Sequence, residues 1–254
     1  MFPIGLPFLD RDEYLGTTVN RIDNFFKYSV DKEVFAGSMA LMAGRKSYNQ
    51  NCPIAKGLDI LGDRWTLLIL RELVGGPRRY SDLRAELPGI ATNLLAERLK
   101  ELEKAGLVDR AELPPPIARA VYTLSDAGWQ RVLPILQSLA WFGLDRLDSM
   151  DGGPVSPLTG FLALIVVPFD PIKAAGLTAA YRVEIDGRRF EFALGQGHLA
   201  AAHGEPDVTV TASAADLATA RLGSTEAKRK AALRAIAFDG EADAVDALRE
   251  AFSL

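Results

Sequence analysis

A chain of 254 residues with 48% hydrophobic and 24% charged content carries enough apolar material for one or two globular domains. The formal net charge of −4 excludes a uniformly basic nucleic-acid binder, so any contact with a polyanion must be local. One cysteine excludes an internal disulfide and fits a reducing cytoplasm; with only two histidines beside it, no zinc cluster is expected, nor any other metal or cofactor.

The charge is unevenly spread. Residues 1–44 hold 4 Lys/Arg against 6 Asp/Glu, residues 45–150 hold 15 against 13, and residues 151–254 hold 10 against 14. Only the middle segment is net positive. The longest apolar run, Phe161 to Phe169, is too short to span a bilayer and contains Pro168. The N-terminus has no cationic stretch followed by an apolar core, so neither a membrane partner nor a signal peptide is expected.

Residues 1–44 form an extension broken by Pro3, Gly5, Pro7, Gly16 and Gly37, within which Asn24–Val30 fits a short helix or strand. Two readings stand: an arm that packs on a dimer partner, or translation that begins near Met39, which an intact mass matching Met1 would reject. From Cys52 the pattern sharpens. Pro53–Leu61 reads as a helix with proline in its first turn, where a missing N–H costs little. Gly62-Asp63-Arg64-Trp65 is a turn, with Asp63 expected to cap a helix over Trp65–Leu73 whose Leu67, Leu68, Ile69, Leu70 and Leu73 are buried. Gly75-Gly76-Pro77 stops it. Tyr80–Leu87 is a third helix with Ser81 as its expected cap, and Pro88-Gly89 is a tight turn.

The stretch Gly89–Val108 then reads as a long helix ended by Gly106. Ala91, Leu94, Leu95, Leu99 and Leu102 share one face at the 3.6-residue period. The opposite face carries Asn93, Glu97, Lys100 and Lys104, with Ala96 beside them. Amide and cationic side chains reach base edges, and a small residue lets a backbone come close. The same pattern also fits a solvated surface helix; its neighbours favour the first reading, because a short helix, a turn and a second amphipathic helix make a helix-turn-helix. Leu107–Leu113 and Arg119–Leu124 are strands joined by the stiff tip Pro114-Pro115-Pro116, a wing on which Arg110 and Arg119 can meet phosphate or minor groove. Ser125-Asp126 caps a helix from about Ala127 to Leu147. Leu133, Leu136, Leu139, Ala140, Phe142 and Leu144 make it apolar over most of its circumference, so it must bury two faces, the second against another subunit.

Cys52–Leu73 resembles the opening signature of HxlR-type winged helix-turn-helix regulators, Leu95–Val108 resembles their recognition helix, and Val121–Gly128 resembles the end of their wing. The resemblance spans roughly residues 48–147. It implies a homodimeric transcription regulator whose first and last helices make the dimer contact and whose two recognition helices enter successive major grooves of double-stranded DNA, about 34–36 Å apart. It also implies that Thr92, Asn93, Ala96 and Lys100 face bases, while Arg98 touches phosphate or an internal carboxylate. Ala91 stands where family members often have a serine cap, so Thr92 or the backbone must start the helix. Cys52 matches a position that some members use as a thiol sensor, and its place near a helix N-terminus lowers a thiol pKa; a semi-buried structural cysteine is the alternative.

Asp151-Gly152-Gly153-Pro154 reads as a linker. Beyond it, Ala180–Gly187 and Arg189–Leu194 are strands joined through Asp186-Gly187, a hairpin signal. Leu199–His203 and Asp207–Ala212 follow, then helices Ala214–Arg221 and Thr225–Leu233, a strand Ile236–Phe238 and a closing helix Glu241–Phe252. This order resembles the sterol carrier protein type 2 fold, which implies an apolar tunnel for lipid or acyl ligands. The expected class is therefore α+β, with an extension (1–44), a winged helix-turn-helix domain (45–150) and a sterol-carrier-like domain (155–254). Gly195-Gln196-Gly197 is a turn rather than a phosphate loop, His198 and His203 form no catalytic constellation, and no enzyme is expected. The alternative function is a lipid-binding or enzyme-accessory protein whose winged domain serves protein contact.

Overall fold

The computed structural model describes residues 47–113, 120–147 and 154–253. Tyr48–Leu254 form one compact unit. Its first helix, α1, runs Pro53–Leu61, with Cys52 at the N-cap and proline in the first turn. Helix α2, Thr66–Val74, buries Ile69, Leu70, Leu73 and Val74. Its start differs from expectation. Asp63 does not cap it; the N-cap residue is Trp65, held in the left-handed region at φ 80°. Leu68 stays 41% exposed rather than buried, because α2 turns that side away from the core.

A two-residue strand, β1 (Arg78–Arg79), leads into α3, Tyr80–Glu86. Ser81 does not cap α3: it lies inside the first turn, and Asp82 closes that turn by accepting from the Arg79 N–H at 3.0 Å. Helix α4 spans Thr92–Lys104 and ends where Gly106 takes φ +68°. Strands β2 (Val108–Glu112) and β3 (Ala120–Leu124) pair antiparallel, Val108 opposite Leu124 and Arg110 opposite Tyr122. Strand β1 adds to the other side of β3, so the sheet order is β1-β3-β2.

Helix α5 spans Asp126–Gly143 and tightens into a short 3-10 turn at Leu144–Arg146 instead of continuing as α-helix to Leu147. Ser125 caps it as expected, its Oγ accepting from the Gly128 N–H at 2.9 Å, and the same hydroxyl donates to the Gly106 carbonyl at 2.7 Å. Leu133 and Leu136 are buried, but Leu139 and Phe142 face outward.

The apolar run after Pro157 proves to be a core helix, α6 (Pro157–Ile165), capped by Ser156 and buried at Leu158, Phe161, Leu164 and Ile165. It leads to a mixed sheet built from β4 (Ala179–Ile185), β5 (Arg188–Gly195), β6 (His198–Ala200), β7 (Val208–Ala212) and β8 (Ala237–Gly240). The sheet order is β6-β5-β4-β7-β8, with β4 and β7 parallel and the other neighbours antiparallel. Asp186 (φ 47°) and Gly187 (φ 81°) make the hairpin turn between β4 and β5. Along β4, Ala179, Tyr181, Val183 and Ile185 are buried and the intervening residues are not, the period-2 signature of a strand with one face on the core. Helices α7 (Ala214–Leu222), α8 (Glu226–Arg234) and α9 (Ala242–Phe252) complete the order.

Aromatic rings fill the layer beneath this sheet. Phe161 stacks on Phe190 at 4.4 Å, and Phe192 meets Phe252 edge-on at 5.7 Å. Gly160 lets α6 lie against α7: a Cβ there would sit 2.8 Å from the Ala214 Cα. The two sheet systems share buried contacts, and Gln137 on α5 donates to the carbonyls of Val167 (3.2 Å) and Phe169 (2.8 Å). Among the described residues, no helix is long and apolar enough to cross a membrane.

Candidate nucleic-acid interface

Helix α4 is seated from three directions. Leu95, Leu99 and Leu102 bury into the core. Gly89, at φ +91°, makes the turn that delivers the chain from α3. Tyr80 on α3 donates its hydroxyl to the Thr92 carbonyl at 2.5 Å, which pins the start of α4. The sequence pattern did not single out Tyr80, since nothing in a 12-residue separation marks a phenol for that carbonyl.

The opposite side of α4 is open. Thr92, Asn93, Ala96, Glu97 and Lys100 are exposed. Ala91 is the N-cap residue and contributes no side-chain acceptor, so of the two starts considered for this helix the backbone one is present and the Thr92 hydroxyl is not engaged in a cap. An amide, a hydroxyl, a methyl and an ammonium thus share one accessible helical surface. That set can donate, accept and pack closely, which is what reading base edges takes.

Arg98 has a different place. Its side chain is only 13% exposed, with Nη1 3.0 Å from Asp63 and also bonded to Glu101. Of the two contacts expected for it, phosphate or an internal carboxylate, the structure shows the second. The guanidinium ties α4 to the turn between α1 and α2, which is also where the Asp63 carboxylate goes instead of capping α2. The Asp63 carbonyl meanwhile accepts from the Thr66 N–H at 3.2 Å.

On the wing, Arg110 is exposed and pairs with Glu112 two residues on, at 2.5 Å. Both lie on the same face of β2, so that face carries balanced charge. Arg119 and the Pro114-Pro115-Pro116 tip lie outside the described residues. Cys52 is half-buried, and the first-turn N–H groups of Ala55 and Ile54 hold its thiol below the usual pKa.

A second surface is apolar. Ile54 and Leu58 on α1, Leu68 on α2, and Ile135, Leu139, Trp141 and Phe142 on α5 are all exposed. Part of it forms a groove of about 660 Å³ lined by Ile54, Leu58, Leu61, Trp65, Leu68 and Ile135 among others. Ile54, Leu58, Leu68 and Ile135, gathered on one groove, differ from the scattered single exposures of an ordinary surface.

The HxlR-like helix-turn-helix family model matches residues 60–151, which contain α4, the wing and α5. The chain is 38% identical over 101 residues to the uncharacterized HTH-type transcriptional regulator YvaP of Bacillus subtilis, covering 39% of this chain and 93% of YvaP. It is 36% identical over 94 residues to the HTH-type transcriptional regulator YodB of the same organism, covering 37% of this chain and 84% of YodB. The solved reduced form of YodB superposes with a TM-score of 0.33 at 35% identity, over 39% of this chain and all of that one. Identity at this level over nearly the full length of YvaP, in the segment that folds as the winged helix-turn-helix, places the chain in the HxlR-like helix-turn-helix family.

Proposed function

We propose that the protein is a DNA-binding transcription regulator that acts as a homodimer on a two-fold operator, with α4 in the major groove and the β2–β3 hairpin along the backbone. The observation that carries this reading is the division of α4: Leu95, Leu99 and Leu102 are buried while Thr92, Asn93, Ala96 and Lys100 are exposed together. In this reading Asn93 and Ala96 face bases, Thr92 and Lys100 contact bases or phosphate, Arg110 and Arg119 follow phosphate, and Arg98 positions α4. The apolar residues of α1 and α5 supply the subunit contact.

A gel shift with the gene's own upstream DNA at several salt concentrations tests the reading. Lys100→Ala lowers the slope of log affinity against log salt by about 1, uniformly across sequences. Asn93→Ala costs about 1–3 kcal/mol at one base-pair position and relaxes specificity there. A shift that is insensitive to salt and to sequence would remove the DNA reading.

Cys52 is proposed as an oxidant-sensing thiol, supported by its half-buried N-cap position and lowered pKa. Cys52→Ser abolishes the response of a reporter to diamide; a normal response in that variant ends the idea. For residues 155–254 we propose a sterol-carrier-like domain, supported by its order of α6, three antiparallel strands, a parallel return at β7 and a closing helix. An apolar effector bound there must displace ring contacts such as Phe161–Phe190 rather than add to them. Native mass spectrometry with fatty acyl and isoprenoid compounds tests for such binding.

A further inference from the structure

The five-stranded sheet meets the helix-turn-helix at the end of α2. Gly75, the C-cap residue of α2, has an ordinary φ of −73°, so the turn itself does not call for glycine. Small size does: a Cβ there would lie 2.9 Å from Leu158 Cδ1 on α6 and 3.1 Å from Arg188 Nη2 on β5. Arg188 directly follows the Asp186-Gly187 turn, so the tip of the β4–β5 hairpin reaches α2.

Two of the three guanidinium nitrogens of Arg188, Nε and Nη2, are buried with no hydrogen-bond partner among the described residues. Two other influences place the group. Its Cζ lies 4.7 Å from the centre of the Phe190 ring, a cation–π contact. It also stands at the C-terminal end of α2, where the helix dipole favours a cation. Phe190 in turn stacks on Phe161 at 4.4 Å. Buried N–H groups without acceptors are costly, so Arg188 keeps this place only while the Phe190 ring and the end of α2 keep theirs.

From Gly75 the connection runs on to α4. Arg78 Nη2 donates to the Gly75 carbonyl at 3.4 Å. Strand β1, Arg78–Arg79, leads directly into α3 at Tyr80, whose hydroxyl donates to the Thr92 carbonyl at the start of α4. Each step from the ring layer to the first turn of α4 is thus a side-chain contact, a hydrogen bond or the chain itself.

We propose, resting on the reading of α4 as the DNA-facing helix, that Arg188 is a positioning residue for α4: through it the aromatic layer under the sheet sets the placement of β1, α3 and the first turn of α4. Operator affinity then responds to whatever moves Phe161 or Phe190. A side chain that only filled space in its own hairpin would leave β1 and α4 undisturbed when replaced.

Hydrogen exchange of the full-length protein without DNA, read by mass spectrometry, tests this directly. Arg188→Met keeps an apolar stem and removes the cation. Exchange over residues 78–94 rises about two- to thirtyfold, the range a lost cation–π contact supplies. Operator affinity in a gel shift falls by a similar factor with an unchanged salt slope, since no phosphate contact is removed. Arg188→Lys recovers most of both. Arg182→Met is the control: it breaks the 2.9 Å pair with Glu191 in the same hairpin and speeds exchange within the sheet alone. If Arg188→Met does not fold, Gly75→Ala takes its place with the same expectations, because its Cβ displaces both Arg188 and Leu158. Unchanged exchange over residues 78–94 overturns the proposal; so does equal acceleration by Arg182→Met, and so does unchanged operator affinity in a variant whose exchange has risen. A wild type without site-selective, salt-sensitive binding removes the DNA reading instead, and exchange then decides by itself whether Arg188 holds α4.

Discussion

On the proposed homodimer, Phe142→Asp is expected to give a folded monomer whose affinity for a two-fold DNA site is about 10²–10⁴-fold below that of the wild type, because two linked half-site contacts would become one. Phe142 is 71% exposed, so the folded subunit loses little when it is replaced. Trp141 and Leu139 of α5 and Leu147 just beyond are also exposed, and on α1 Ile54 is 72% exposed. A symmetric contact uses the same residues twice. Covering a phenylalanine contributes about 1.5–3 kcal/mol per copy, whereas an aspartate in its place must be desolvated without a partner. Sedimentation equilibrium reads the oligomeric state and a gel shift reads the affinity. A variant that remains dimeric would show that α5 does not carry the subunit contact; a monomer with unchanged affinity would show that DNA binding does not require two copies.

Gly128→Ala lowers stability by about 3 kcal/mol, which for a chain of this size corresponds to a fall in Tm of roughly 10 °C. Gly128 lies in the first turn of α5 with ordinary helical geometry, so its role is spatial. A Cβ there would lie 2.2 Å from the Leu107 carbonyl oxygen and 3.3 Å from the Leu124 Cδ2. The Leu107 carbonyl cannot simply withdraw, because it accepts from the Ser125 N–H at 3.1 Å. Either that bond breaks or α5 lifts from the strands. Ser125→Ala, which removes the cap on the same turn, serves as the smaller reference at about 1 kcal/mol. Equal melting temperatures for Gly128→Ala and wild type would mean that α5 is not held this tightly to β2 and β3.

The position of α4 was legible because its evidence is local. Of the five apolar residues expected on its inner side, Leu95, Leu99 and Leu102 are buried and Leu94 is half-buried, while Ala91 is the exposed N-cap residue; Gly106 ends the helix where a positive φ is needed. The same holds for Ser125 as a cap and for Asp186-Gly187 as a hairpin, each decided within a few residues. Less was legible where a side chain has competing partners. Asp63 is a good capping residue by type, yet Arg98, far along the chain, takes its carboxylate. Ser81 does not cap α3, since the helix starts two residues earlier than Ser81 requires, with Arg79 at the N-cap and Asp82 accepting from its N–H.

Apolar residues show the same limit. Leu68 and Phe142 look like core residues in a periodic pattern, and both are exposed. Periodicity gives the angle of a side chain around its helix, but only the packing of neighbouring helices decides which angles meet protein. Helix α6 was missed as an element because its nearly continuous apolar run has no polar face to reveal a period, although Ser156 and Pro157 marked its start.

Sequence alone determined the order of the elements apart from β1 and α6, the two-sided character of α4, the hairpin turns and the family, since each rests on residues close together in the chain or on a contiguous motif. Tertiary structure alone decided that Arg98 braces α4 through Asp63, that Tyr80 pins its start, that α1 and α5 leave an apolar surface, and that Arg188 meets Gly75 at the end of α2. Those are meetings between distant segments, and which of the available partners meets depends on the packing of the whole core.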